Sequence, residues 1–157
     1  VGGLYGVPVD DCIKLAAYIQ RNEVSVAETL GGITPTLGKM NISEAEAMLE
    51  GLVHLDMVQI RNGAANPFEA IKNKTIRYTR RDPDEKWQSL VELHKTGHGD
   101  CEDLSAATAA WLRAHGDKQA RVEILPGKSG VHHAVVRKGD GSIYDPSRDA
   151  GMGWDEV

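Results

Sequence analysis

At 157 residues with a net charge of −5, the chain has the length of one ordinary domain, or of one domain with a short appendage. Hydrophobic content of 41% and charged content of 26% suit a globular protein, and 5% aromatic residues predict a largely aliphatic core. The acidic balance excludes binding through dense phosphate contacts, and no apolar run is long enough to span a bilayer, so neither nucleic acid nor membrane is an expected partner.

Residues 1–9 read as an irregular arm. Asp10 or Asp11 caps a first predicted helix to about Asn22, and a short helix over 25–30 is stopped by Gly31-Gly32. Residues 34–40 are loop-like. Ser43 with Glu46 three residues later forms a capping-box pattern that opens a helix to about His54, with Ala45, Met48, Leu49, Leu52 and Val53 on its apolar face. Met57 to Ile60 reads as a short strand ended by Asn62-Gly63. Three helices, a strand and a turn loosely resemble a winged-helix module. Eight acidic against four basic side chains in residues 1–65 argue against its use on DNA, and favour a helical prefix that packs on the main domain or docks a protein. This prefix is also the segment most open to homo-oligomer formation.

Asn66-Pro67 marks the expected boundary, with Asn66 as cap and Pro67 as first residue of a helix to about Tyr78. The basic run Lys72, Lys74, Arg77, Arg80, Arg81 is followed at once by Asp82, Asp84 and Glu85, which predicts a self-neutralising surface. Residues 84–94 read as a helix burying Trp87, Leu90 and Val91. Next comes Gly97-His98-Gly99-Asp100-Cys101-Glu102-Asp103-Leu104, a glycine-flanked turn that delivers a cysteine to the start of a predicted helix over 101–114. Leu104, Thr108, Trp111 and Leu112 form its buried stripe, and His115-Gly116 ends it. Strands follow over 121–125, 131–137 and 142–145, the last two joined by the turn Lys138-Gly139-Asp140-Gly141. From Pro146 the chain reads as irregular. Helices followed by an antiparallel run make an α+β fold in which the cysteine helix packs on a small sheet.

The chemistry concentrates around Cys101. At a helix N-terminus the unpaired amides and the dipole favour a thiolate, so Cys101 suits a nucleophile better than a disulfide to the distant Cys12. A thiolate attacking an acyl carbon needs a base, and the base needs an orienting group. The hairpin supplies both: His132 and His133 on one strand, and Asp145 opposite the segment 133–136 on the next. Adjacent strand residues face opposite sides, so one of the two histidines meets the cysteine, and periodicity alone does not choose between them. The Cys101 backbone N–H is the default oxyanion donor, and Trp87 or Gln88 could add a side-chain donor. No CxxC pair or HExxH motif points to zinc.

Residues 66–148 resemble the transglutaminase-like domain of the papain-like cysteine-enzyme superfamily. The likeness is carried by Lys95-Thr96-Gly97-His98-Gly99-Asp100-Cys101-Glu102-Asp103-Leu104, Trp111-Leu112-Arg113-Ala114-His115-Gly116, Ala120-Arg121-Val122, His133-Ala134-Val135-Val136 and Tyr144-Asp145-Pro146-Ser147. The Gly-Asp-Cys-Glu-Asp form is most similar to bacterial transglutaminase-like cysteine proteinases and to short versions among tailed-phage genes. The resemblance implies Cys101 as nucleophile, His133 as base and Asp145 as its orienter, acting on amides through an acyl-thioester. It also implies calcium beside the cysteine at Asp100 and Glu102, as an optional rather than a required cofactor. Glu102 stands where animal transglutaminases carry tryptophan, which argues for hydrolysis over crosslinking. The expected protein is a cysteine hydrolase of peptide or isopeptide bonds in protein substrates, cytoplasmic or, if phage-encoded, in the virion. The rival expectation is a structural or assembly protein that keeps the fold without the catalysis.

Overall fold

The computed structural model describes residues 32–33, 41–80, 86–127 and 132–153. The helices expected over 10–22 and 25–30 and the loop over 34–40 lie outside the described residues. In chain order the elements are β1 (Gly32–Ile33), α1 (Ile42–Arg61), α2 (Pro67–Lys72), β2 (Arg77–Tyr78), β3 (Trp87–Gln88), α3 (Leu90–Thr96), β4 (His98–Gly99), α4 (Cys101–Ala114), β5 (Arg121–Pro126), β6 (His132–Arg137), β7 (Ile143–Tyr144) and α5 (Pro146–Asp149). The class is α+β. Strands β5, β6 and β7 form an antiparallel sheet in that order, β1 pairs antiparallel with β3, and β2 pairs parallel with β4.

α4 organises the packing, with the extent the sequence predicts. Its alanines let neighbours approach on two sides. Ala106, Ala109 and Ala110 join Met48, Leu49, Leu52, Val53, Leu55 and Met57 of α1, and Val122, Ala134 and Val136 of the sheet, in one apolar cluster. Leu104 and Ala107 join Ala70, Ile71, Ile76, Leu90 and Leu93 in another. Residues 42–61 therefore share a core with the domain that follows, and Asn66-Pro67 marks a helix start rather than a division between cores. That start is built as expected: Asn66 Oδ1 accepts the Phe68 N–H at 2.9 Å.

α1 departs from expectation at both ends. Its cap is Asn41, whose Oδ1 accepts the Glu44 N–H at 2.9 Å while its Nδ2 donates to Glu44 Oε1 at 2.7 Å, so the Ser43–Glu46 capping box is not used. The helix also runs through Met57–Ile60, where a strand was expected. Val58 and Ile60 favour strands only weakly, and burial of Leu55 and Met57 against the core outweighs that preference. Asn62 closes the helix with both its backbone N–H and Nδ2 on the Val58 carbonyl.

The helix expected to reach Tyr78 ends at Lys72. Lys74 turns left-handed at φ 63°, and the amides of Thr75 and Ile76 both fold back to the Ala70 carbonyl. This frees β2 to pair with β4, whose Gly99 carbonyl accepts the Thr79 N–H at 2.8 Å. The helix expected over 84–94 begins only after Ser89, which caps α3 by accepting the Glu92 N–H at 3.3 Å. That start sets the phase of α3 and leaves Val91 36% exposed instead of buried. The chain after Asp145 is likewise not irregular but forms α5.

Candidate active site

The Cys101 turn is set by its glycines and a cap. Gly97 ends α3 at φ 74°, where a side chain would also press on the Thr75 carbonyl. At Gly99 a β-carbon would stand 2.7 Å from Leu93 Cδ1 and 3.0 Å from Asp103, so only hydrogen fits. Asp100 then caps α4. Its Oδ1 accepts the Asp103 N–H, and Asp103 Oδ2 accepts the Asp100 N–H, both at 3.2 Å. The N–H groups of Cys101 and Glu102 are not used by this box.

The second half is the β6–β7 hairpin. Register pairs Val136 with Tyr144, so Asp145 follows the end of β7 and stands diagonally from His133, two residues along β6. No bulge is needed. The strand ends at Tyr144, Asp145 caps α5 by accepting the Ser147 N–H at 3.1 Å on Oδ1, and Oδ2 meets His133 Nε2 at 2.8 Å. Arg148 Nε stands 3.5 Å from the same Oδ2, and its guanidinium also donates to the Gly153 carbonyl. With Nε2–H donated to Asp145, the imidazole keeps Nδ1 as an acceptor, a tautomer assigned from the hydrogen bond. His133 is buried and paired with Asp145, whereas His132 is exposed. Of the other histidines, His54 meets Glu50, His94 bonds the Ala65 carbonyl, His115 stacks on Trp111, and His98 is exposed.

The two halves meet at Ala134. Once β7 has diverged, the open edge of β6 is covered by α4. The Ala134 N–H points to the Cys101 sulfur, and the Ala134 carbonyl accepts Ser105 Oγ at 3.0 Å. One turn of helix thus stands in for the missing strand, and Cys101 lies beside the residue that follows His133. Ser105 and Arg148 escape a reading for nucleophile and base alone. Their positions, four after Cys101 and three after Asp145 on helices, are the signal that finds them.

The thiol itself differs from expectation. Cys101 is a free cysteine and only 9% exposed. Its Sγ–H donates to Glu102 Oε2 at 3.0 Å and not to His133. Burial pushes the thiol well above its ordinary range, the Glu102 and Asp100 carboxylates add to that, and the Ala134 N–H opposes them. The helix dipole is outweighed here by desolvation and by acidic neighbours. Burial raises Asp100 and Asp103 too; the Asp103 and Glu102 charges push Asp100 further up, and the Glu102 charge does the same to Asp103.

Gln88 is a brace. Its N–H donates to Asp103 Oδ1 at 2.7 Å, its Nε2 donates to the His98 carbonyl at 2.9 Å and to Asp103 Oδ2 at 3.1 Å, and its Oε1 accepts from Thr96 at 2.7 Å. No amide proton is left for an oxyanion, so its role is supporting. Trp87 is buried in the same apolar cluster as Cys101. Asp100 and Glu102, the pair implied for calcium, are engaged with the Asp103 amide and the thiol proton. Among the described residues no group of three or more His, Cys, Asp or Glu side chains is arranged to hold a metal ion.

Among the described residues no helix is long and apolar enough to cross a membrane. Comparison with family models, curated proteins and solved structures gives no match.

Proposed function

We propose that the chain is a cysteine hydrolase of peptide or isopeptide amides in protein substrates, built on a transglutaminase-like core. One observation carries this reading: His133 and Asp145 are bonded at 2.8 Å through Nε2, beside the strand edge on which the Cys101 helix rests. Cysteine, histidine and aspartate are the residue types that acyl transfer requires, and the histidine and aspartate are already paired.

Catalysis starts when Sγ turns from Glu102 to His133 and gives its proton to Nδ1. The thiolate attacks the carbonyl carbon, and the oxyanion that forms meets the free Cys101 N–H. The C–N bond breaks as the imidazolium returns that proton to the leaving amine, which leaves a thioester on Cys101. Water then attacks the thioester carbon and gives a proton to His133. The C–S bond breaks, the acid departs and the thiol is restored. Asp145 holds the imidazole tautomer and steadies its cation throughout. The test is the reaction of Cys101 with a peptidyl electrophile at pH 6. Stoichiometric labelling faster than a free thiol, with the excess lost in His133→Ala, is the expected result, and a rate no greater than a free thiol sinks the reading.

A second reading, a non-catalytic assembly protein on the same fold, is favoured by the thiol bond to Glu102 and the upward shift it accompanies. It expects an inert thiol together with ring or filament formation through residues 1–65, detected by light scattering.

A further inference from the structure

β3 is a two-residue strand with distinct neighbours on its two flanks. On one side the Gln88 N–H is taken by Asp103 in the first turn of the cysteine helix. On the other, its sole strand partner among the described residues is β1, with Gly32 opposite Gln88 and Ile33 opposite Trp87. Trp87 in turn packs in the cluster that contains Cys101. A piece of the chain from far upstream thus lies extended on a strand that is bonded to the first turn of the cysteine helix.

That strand is weakly held by its own chemistry. The ladder spans two residue pairs, and each backbone hydrogen bond contributes only about 0.5–1.5 kcal/mol net. Gly32 has no side chain to anchor it, and glycine loses the most conformational freedom on entering a strand. An incoming peptide can make the same backbone bonds, so exchanging one strand for another costs little. Strand addition of this kind takes its affinity from the main chain and its specificity from alternate side chains.

We propose that the outer edge of β3 is the docking strand for an extended, small-residue peptide substrate, and that Gly32–Ile33 hold this edge in cis until the substrate displaces them. The proposal rests on the hydrolase reading above. A substrate residue at the register of Ile33 becomes the cross-strand partner of Trp87, whose side chain packs in the cluster that contains Cys101. The chain is then its own weak competitor, and substrate access is set by how readily β1 leaves.

The experiment uses the full chain carrying Cys101→Ala, with and without Ile33→Pro, which removes a backbone donor from the ladder. The probe is a synthetic peptide with the sequence of residues 29–36, titrated by calorimetry. Binding at least tenfold tighter to the Ile33→Pro chain supports the proposal, and equal affinity or no binding to either chain overturns it. Should the proline chain not fold, hydrogen exchange on the unsubstituted chain decides. Excess peptide speeds exchange at Gly32 and Ile33 while Trp87 and Gln88 stay protected, and unchanged exchange at all four overturns the proposal. Neither arm needs turnover, so a failed hydrolase reading shows in the labelling of Cys101 and a failed docking strand shows here.

Discussion

The hairpin half of the candidate site and the helix half are prepared to different degrees. His133 and Asp145 already stand at 2.8 Å, with Arg148 and the Ser147 amide holding the carboxylate in place. Cys101 lies beside Ala134 but is sequestered, its Sγ–H donated to Glu102 and two further carboxylates, Asp100 and Asp103, at the start of its helix. On the proposed mechanism the proton moves only once Sγ leaves Glu102, so arrival of substrate and activation of sulfur are one event.

The comparison breaks most sharply at Asp145. In Asp145→Asn the Ser147 N–H keeps Oδ1 and turns the Nδ2 donor towards His133, which favours the wrong tautomer, so kcat on a peptide substrate should fall about 10²- to 10⁴-fold while the thiol stays titratable. A fall below threefold would remove Asp145 from the mechanism. Ser105→Ala tests the join between the halves. It leaves the buried Ala134 carbonyl without a donor and should cost about 2 kcal/mol in urea unfolding. A change within error would mean that α4 does not support the β6 edge.

Glu102→Gln sharpens the contrast from the helix side. The amide oxygen still accepts Sγ–H, but the negative charge that raises the thiol is gone. Alkylation of Cys101 at neutral pH should then quicken, with its pH midpoint moved down. A midpoint that stays put would assign the upward shift to burial and Asp100.

The smallest expected effect is on stability. Asp56 is fully buried, Oδ1 accepts the Leu90 N–H at 2.7 Å, and Oδ2 has no hydrogen-bond partner. Burial pushes its carboxyl well above the usual range, with the Asp103 charge adding to the shift. The folded state thus keeps a proton that the unfolded chain releases. This contribution is fully present below the unfolded value of 3.8 and is lost as pH rises above it. Asp100 and Asp103 act in the same direction. Glu50 acts oppositely. Arg113 and His54 outweigh its burial and draw it down to about 2, so its contribution is lost as pH falls from 4.5 towards 2. Tm should therefore be higher at pH 5 than at pH 8. Asp56→Asn should flatten that slope and raise Tm at pH 8 by about 3 °C, measured by scanning calorimetry. A steeper slope would relocate the buried proton.

How much of this could be read from residues alone follows from the range of each signal. The cysteine helix was legible because Gly97, Asp100 and the 104–108–112 stripe are local. The hairpin was legible from its turn residues. The His133–Asp145 pair was legible in its residue types but not in its contact, which depends on β7 ending one residue before Asp145. Pairing of β2 with β4, and of β1 with β3, was not legible, since two-residue strands carry too few side chains to show a period. The helix over 57–60 was misread because burial against α4 is a tertiary effect. The direction of the thiol shift was missed because depth at Cys101 is set by α1 and the sheet, which no local pattern reports.

The Ala134 peptide, clasped between Cys101 and Ser105, also makes a built-in gauge. Its N–H points to the sulfur and its carbonyl holds a hydroxyl from the same helix. Any gain of charge on sulfur is felt first by that amide proton, and any slip of the helix loosens both of its bonds together. One backbone resonance, followed across a pH titration, can therefore register the ionisation of the nucleophile and the seating of its helix without any substrate being known.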